Sequence, residues 1–223
     1  MEENAARHAF PSQPGIIFMG TPQFAVPTLE RLIREKYEVL GVVTQPDRPS
    51  GRGRKLSPSP VKVVAEENHL EILQPERLDD RFLEAIVPLR PELFIVVAFG
   101  QIIPGKVLGS ARWGGINIHA SLLPRYRGSA PIQWAIINNE RTTGITTMFM
   151  DEGLDTGPIL LQQEVAIREG ETAGELHDRL AALAPDLLIR TLQGLAEGTV
   201  REIVQDDSLA TYTSKLTKEQ GVI

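Results

Sequence analysis

Hydrophobic residues occur along this chain in short continuous runs, with helical periodicity between them. The runs cover residues 15–20, 37–45, 92–100, 115–120, 144–150 and 159–167. Their length and β-branched content are typical of strands buried in a parallel sheet. Apolar spacings of three or four predict helices after residue 21, over 61–68 and 81–90, within 130–139 and from 172 onward. Alternating strands and helices predict an α/β fold, a mostly parallel central sheet flanked by helices with right-handed crossovers.

The two ends of the chain lack this alternating pattern. Residues 1–14 do not have the basic and then apolar profile of a secretory signal, and we expect them to form a disordered leader. One domain is predicted over residues 15–205. From residue 206 the sequence is polar and aperiodic, which predicts a linker over residues 206–223.

Composition narrows the possible function classes. With 223 residues, 42% of them hydrophobic, the chain can bury one substantial core. No apolar run approaches the roughly 18 residues of a membrane helix, so we expect a cytoplasmic protein. The absence of cysteine excludes disulfides, thiolate nucleophiles and thiolate zinc sites. A net charge of −6 argues against a protein that coats nucleic acid through an overall positive field, but residues 46–55 form a local basic loop.

Candidate chemistry lies at the ends of predicted strands, where sheets of this type bind ligands. The first strand is followed by GTPQFAVP, which is not a G-x-G-x-x-G fingerprint, and no phosphate loop occurs. Asn117 and His119 project from one face of a strand because residues two apart do so. Alone, they would be ordinary hydrogen-bonding residues at a strand end. The following strand ends in a glycine-rich loop that offers Asp151, Glu152 and Asp155 as carboxylates.

An Asn, a His and an Asp suit the transfer of a one-carbon acyl group to an amine. The amide can donate to the oxyanion of a tetrahedral intermediate, and loss of one such donor costs roughly 3 kcal/mol in other enzymes. The imidazole can move a proton between the two nitrogens, which is worth about 10²- to 10⁴-fold, and the carboxylate can orient it. Direct transfer then needs no Ser or Cys nucleophile, because alignment supplies an effective molarity of order 10⁵ M.

Three stretches of the sequence occur in an informative order: TQPDRPSGRGRKLSPSPVK, INIHASLLPRYRG and MDEGLDTGPIL. Together they resemble the folate-dependent formyltransferases, in particular those that act on methionyl-tRNA, from about residue 15 to about residue 217. The resemblance implies a Rossmann-like catalytic domain that transfers a formyl group from 10-formyltetrahydrofolate to initiator methionyl-tRNA without a metal. It also implies that Asn117, His119 and Asp155 are the catalytic residues.

The same resemblance implies two binding surfaces. The folate-binding positions are Ser121, Leu122, Leu123 and Pro124, together with Phe99, Gly100, Gln101 and Ile102 in a loop that receives the pterin ring. The tRNA-binding positions are Arg48, Arg52, Arg54 and Lys55 in the basic loop, for which a solvated, flexible connection is an equal alternative. Relatives that act on tRNA carry a C-terminal OB-like domain, and we expect residues 206–223 to lead toward such a domain outside this chain.

Two other functions stay open at this point. A formyltransferase or formyl hydrolase of the same fold would use a small amino-sugar, a ribonucleotide or water as acceptor and would not need the basic loop. A non-catalytic folate-binding or tRNA-binding module would bind without turnover. The preferred hypothesis is a monomer that meets folate and initiator methionyl-tRNA in the cytoplasm and has no membrane partner.

Overall fold

A computed structural model describes residues 9–50 and 55–217. Within these ranges, seven strands form one sheet: β1 (Ile16–Gly20), β2 (Val39–Val43), β5 (Ile72–Leu73), β6 (Leu93–Val97), β7 (Gly115–His119), β9 (Thr142–Phe149) and β10 (Ile159–Ala166). Two short pairs accompany the sheet: β3 (Arg48–Ser50) with β4 (Lys55–Ser57), and β8 (Arg127–Gly128) with β11 (Tyr212–Thr213). The helices are α1 (Val26–Arg34), α2 (Pro60–Glu67), α3 (Asp80–Ile86), α4 (Gly105–Leu108), α5 (Pro131–Ile137) and α6 (Ala173–Glu197).

Each face of the sheet has its own hydrophobic core. Ile16 and Phe18 of β1 belong to a cluster that includes side chains of α1, α2, α5 and α6. Ile17 and Met19 belong to a second cluster, with side chains of α3 and α4. Alternate residues of a buried strand point to opposite faces, so helices are needed on both sides of the sheet. The predicted α/β fold with helices flanking a mostly parallel sheet is confirmed.

The order of the strands determines where ligands can bind. The sheet runs β10-β9-β7-β6-β1-β2-β5. β1 pairs in parallel with β2 on one side and with β6 on the other, and β7 extends the parallel set. β9 and β10 complete the sheet as antiparallel strands. The carboxyl ends of β1 and β6 therefore flank a topological switch point, and the loops after β1, β6 and β7 meet there.

The longest described helix, α6, begins at the predicted capping box. The Thr172 hydroxyl accepts from the N–H of Glu175, and the Glu175 carboxylate accepts from the N–H of Thr172. In the core, the hydroxyls of Thr147 in β9 and Thr191 in α6 hydrogen bond at 2.8 Å.

No helix in the described ranges, α6 included, is both long and apolar enough to cross a membrane.

The N-terminal segment differs from its prediction as a disordered leader over residues 1–14. Residues 1–8 lie outside the described ranges, but residues 9–14 are described and lead into β1. Phe10 is buried, and the centroid of its ring lies 5.2 Å from that of Trp113. Residues 9–14 therefore belong to the domain, because the Phe10 ring anchors them beside the sheet.

The segment predicted as a linker over residues 206–223 also packs on the domain for part of its length. Asp207–Leu209 forms a 3₁₀ turn, and β11 pairs in parallel with β8. The indole N–H of Trp134 donates to the carbonyl oxygen of Ser214 at 2.8 Å. The domain thus continues at least to residue 214. A linker beyond it stays a prediction, because residues 218–223 lie outside the described ranges.

We expect Phe10→Ala to lower the free energy of unfolding by about 2 kcal/mol, the order contributed by burying a large apolar side chain. Gln13→Ala, at an exposed position of the same segment, is the matched control and should leave that free energy unchanged. Urea denaturation followed by circular dichroism measures both variants. Equal unfolding midpoints for Phe10→Ala and the parent chain would show that residues 9–14 do not contribute to folding.

Candidate active site

Asn117 and His119 lie at the carboxyl end of β7 and line the same cleft, as their two-residue spacing predicts. The cleft has a volume of about 550 Å³ and is bordered by the loops after β6, β7 and β9. His119 is 7% exposed, and Asn117 is half-buried. Ile116 and Ile118, at the alternate positions, belong to the hydrophobic core. Burial of these two isoleucines fixes the strand, so that Asn117 and His119 are held at the wall of the cleft.

Asp155 reaches this pair from the loop between β9 and β10. Its Oδ1 accepts from Asn117 Nδ2 at 3.4 Å, and its Oδ2 accepts from the N–H of Gly128 at 2.7 Å. The same Oδ2 lies 3.6 Å from His119 Nδ1. The three residues predicted to be catalytic are thus brought together around one carboxylate.

The loop that carries Asp155 depends on two local features of its backbone. Asp155 has φ = 55°, in a left-handed region that Asp tolerates better than most residues. Gly157 passes so close to β9 that a β-carbon there would overlap the carbonyl oxygen of Phe149. A glycine at 157 therefore allows the loop to turn back toward β7.

The other two acidic candidates of this loop have different surroundings. Asp151 Oδ1 accepts from the N–H of Gly153 at 3.0 Å and from the hydroxyl of Thr156 at 2.7 Å, so it is used within the loop. Glu152 is exposed at the cleft border. Among residues 9–50 and 55–217, no three His, Cys, Asp or Glu side chains group as a metal site would require.

The orientation of the His119 ring is fixed by a hydrogen bond of its second nitrogen, Nε2. Nε2 lies 2.8 Å from the carbonyl oxygen of Tyr126. Because a carbonyl can only accept, we assign the proton of the neutral imidazole to Nε2. The lone pair is then on Nδ1, the nitrogen that faces Asp155. Nδ1 can therefore take up and release a proton, and Asp155 can stabilise the imidazolium that results.

The loop after β6, predicted to receive the pterin ring, borders the same cleft. From this loop, four residues line the cleft: Phe99, Gly100, Gln101 and Ile102. The carbonyl oxygen of Phe99 accepts from Thr21 Oγ1 and from Gln45 Nε2, both at 3.1 Å. Phe99 is buried, whereas Ile102 is 87% exposed. The loop is thus held through its backbone and presents apolar surface to a ligand.

A second set of predicted folate positions does not line the cleft. These are Ser121, Leu122, Leu123 and Pro124. The carbonyl oxygen of Ser121 and the N–H of Leu123 both hydrogen bond to the hydroxyl of Thr146, at 2.7 and 3.2 Å. Leu123 is buried with Met148. The hydrogen bonds of Ser121 and Leu123 to Thr146 therefore brace the loop after β7. A folate-binding role for these four residues stays a prediction.

The predicted tRNA positions are only partly described. Arg48 is exposed in β3, which pairs with β4 as an antiparallel hairpin. The backbone of Lys55 begins β4. Arg52 and Arg54 lie outside the described residues. Contact between these four residues and tRNA therefore stays a prediction.

The base of the basic loop is attached to the domain through Asp47. Its carboxylate accepts from Lys62 Nζ and from Gln74 Nε2, both at 2.7 Å. These hydrogen bonds, from Lys62 first and then Gln74, hold the pKa of Asp47 below its usual range. The hairpin therefore projects from a base tied to α2 through Lys62.

Sequence reasoning did not predict the residues that hold the backbone of the Asp155 loop. Gln205 Nε2 donates to the carbonyl oxygens of Asp155 and Gly157, and Gln205 Oε1 accepts from the fully buried Arg127. Gln205 stands at the start of an aperiodic polar segment, 78 positions from Arg127. No motif or periodicity marks such a partner.

Comparison with known proteins identifies the family of this chain. The formyl transferase family model matches residues 15–192. The methionyl-tRNA formyltransferase of Pelobacter propionicus is 54% identical over 213 residues, which cover 95% of this chain and 67% of that protein. The methionyl-tRNA formyltransferase of Geobacter metallireducens is also 54% identical, over 211 residues that cover 93% of this chain and 67% of the relative.

Solved structures show the same fold at lower identity. An N-formyltransferase from Helicobacter canadensis, in complex with folinic acid and dTDP-3-aminofucose, is 23% identical with a TM-score of 0.71. The similarity covers 93% of this chain and 72% of that chain, and at this identity it concerns the fold alone. The family model and the two close relatives go further: this chain belongs to the formyl transferase family, among the methionyl-tRNA formyltransferases.

Proposed function

We propose that this chain transfers a formyl group from 10-formyltetrahydrofolate to the amino group of initiator methionyl-tRNA. The observation that carries the proposal is the convergence of Asn117, His119 and Asp155 at the wall of one cleft. An amide, an imidazole and a carboxylate supply an oxyanion donor, a proton carrier and its counter-charge. Identity of 54% to proteins named for this reaction supports the acceptor.

The reaction begins when the neutral amino nitrogen of methionyl-tRNA attacks the formyl carbon. A new C–N bond forms, and the carbonyl electrons move to the oxygen. The Asn117 amide has two N–H groups, of which one faces Asp155 and the other donates to the oxyanion. His119 Nδ1 takes the proton of the attacking amine and delivers it to N10 of the folate. The C–N10 bond then breaks, and tetrahydrofolate and formylmethionyl-tRNA are released.

The surroundings of the reacting atoms fit this assignment. Asp155 Oδ2 lies close enough to His119 Nδ1 to form a charged pair as soon as that nitrogen is protonated. The folate ring would lie against residues 99–102, where backbone polar groups and the exposed Ile102 side chain border the cleft. The proposed location of the reaction is the cytoplasm, because its acceptor is a substrate of translation.

A small amino-sugar is the alternative acceptor, because the Helicobacter canadensis enzyme of the same fold was solved with a sugar nucleotide. Its 23% identity, against 54% for the methionyl-tRNA formyltransferases, favours tRNA. An acceptor screen with 10-formyltetrahydrofolate separates the candidates. Formylation of amino-sugar or ribonucleotide but not of methionyl-tRNA would contradict the proposal, as would formate release alone, which indicates a hydrolase, or binding without product.

Removal of the polar pair should affect the chemical step. We expect Asn117→Ala to lower kcat by about 10²- to 10³-fold through loss of an oxyanion donor. His119→Ala should lower kcat by about 10²- to 10⁴-fold through loss of the proton carrier. Steady-state formylation of methionyl-tRNA with labelled donor measures both variants. Asn68→Ala, which removes an exposed amide at the end of α2, is the control with unchanged kcat. Parent-like kcat for His119→Ala would exclude the proton-transfer role.

Removing the positive charges of the basic loop should weaken binding of the acceptor, methionyl-tRNA, and leave binding of the formyl donor unchanged. Replacing Arg48, Arg52, Arg54 and Lys55 by Ser should raise KM for methionyl-tRNA without changing KM for 10-formyltetrahydrofolate. The salt dependence of tRNA binding should also weaken, since each phosphate contact contributes about 0.7 to 0.9 to the slope of log affinity against log salt. A variant with Ser at four exposed positions elsewhere controls for the loss of four positive charges: Arg34, Arg77, Arg81 and Arg201. An identical KM for tRNA in the loop variant would show that the loop does not bind it.

A further inference from the structure

Gln205 joins two parts of the candidate active site that are far apart in the sequence. Its side chain is 8% exposed, and its Nε2 donates to the carbonyl oxygens of Asp155 at 2.9 Å and Gly157 at 2.7 Å. Its Oε1 accepts from two nitrogens of the Arg127 guanidinium, at 3.1 and 2.9 Å. Both N–H groups and the oxygen of the amide therefore have partners, which holds the side chain in one orientation.

Arg127 is itself held by the segment that contains Gln205. Its guanidinium is 1% exposed and donates to Asp207 Oδ1 at 2.8 Å and to the Tyr212 hydroxyl at 3.0 Å. Burial lowers the pKa of Arg127, but the hydrogen bonds to Asp207 and Tyr212 outweigh it and leave that pKa above its usual value. The buried charge thus depends on partners from residues 205–212, because an unpaired charge at this depth is strongly destabilising.

The residue after Arg127 supplies the N–H that holds Asp155. Gly128 donates to Asp155 Oδ2 at 2.7 Å and pairs with Thr213 through the short strands β8 and β11. It has φ = 98°, and a β-carbon there would overlap the carbonyl oxygen of Thr213. Residues 205–213 therefore support Asp155 twice: Gln205 holds its backbone, and β11 places the donor to its carboxylate.

We propose that Gln205 is a positioning residue for formyl transfer, which fixes the backbone of Asp155 and Gly157 against Arg127 so that the Asp155 carboxylate faces His119. The inference rests on the proposed function, in which Asp155 stabilises the protonated His119. Gln205 touches no reacting atom, and its effect passes through Asp155. Without the two hydrogen bonds from Gln205, the left-handed turn at Asp155 relaxes and the carboxylate moves away from Nδ1.

Gln205→Glu tests this role, because it keeps an oxygen for Arg127 but turns a carboxylate oxygen toward the carbonyls of Asp155 and Gly157. We expect kcat for formylation to fall on the order of 100-fold, the cost of misplacing a catalytic group by about 1 Å. KM for 10-formyltetrahydrofolate should stay within about threefold. The amide proton of Gly128 should move upfield in a ¹⁵N-correlated NMR spectrum, because its hydrogen bond to Asp155 lengthens.

A second variant and a control accompany this measurement. Gln205→Met removes both donors without adding a charge, and it should lower kcat and shift the Gly128 resonance in the same directions. Val204→Ala, next to Gln205 but 86% exposed, should leave kcat and the Gly128 resonance unchanged. Thermal unfolding followed by circular dichroism checks that each variant is folded.

Three results would overturn the positioning role: parent-like kcat in a folded Gln205 variant, lower stability with an unmoved Gly128 resonance, or failure of both variants to fold. The NMR measurement needs no turnover, so it separates this inference from the proposed function. A parent chain that does not formylate methionyl-tRNA, combined with a shifted Gly128 resonance, would contradict the function and keep the structural link to Asp155. An active parent chain with an unmoved resonance would contradict only the role of Gln205.

Discussion

The carboxylate of Asp155 is the group around which the candidate active site is arranged. A carboxylate with only 13% of its side chain exposed must be hydrogen-bonded to be stable. Asn117 in β7 and the N–H of Gly128 in β8 donate to it, and His119 faces it across 3.6 Å. The turn at Gly157 and the pairing of β8 with β11 bring these partners together. The position of this one carboxylate therefore constrains the backbone path of the loops after β7 and β9.

The pattern of hydrophobic residues was enough to predict the sheet and to place Asn117 and His119 of the candidate site side by side. β-branched runs indicated buried strands, and their two-residue period placed Asn117 and His119 on one face. The carboxyl ends of parallel strands meet at one edge, which brought residues 99–102 to the same cleft. The position of Asp155 was harder to predict, because β9 runs antiparallel to β7. The loop that follows β9 therefore starts beside the beginning of β7 and not beside its carboxyl end. Only the glycines and acidic residues of that loop indicated a return to the sheet.

Contacts between distant residues could not be predicted in this way. Residues 206–213 are aperiodic, and their order comes from pairing with Arg127 and its neighbour, about 80 positions away. Phe10 is ordered by Trp113, for a similar reason. The stretch from Ser121 to Pro124 shows the opposite case, because its motif indicated a binding role that stays a prediction. What the motif did not indicate is the pair of hydrogen bonds to Thr146 that supports the loop after β7.

The proposed mechanism is direct transfer of the formyl group, in which Asn117, His119 and Asp155 assist an attack made by the amine of the acceptor itself. A rapid-quench experiment tests this directly. The chain is mixed with 10-formyltetrahydrofolate without methionyl-tRNA, and tetrahydrofolate is measured over milliseconds to seconds. Direct transfer predicts no burst of tetrahydrofolate until methionyl-tRNA is added. A burst equal in amount to the enzyme would show that the formyl group first bonds to the protein, and would contradict direct transfer.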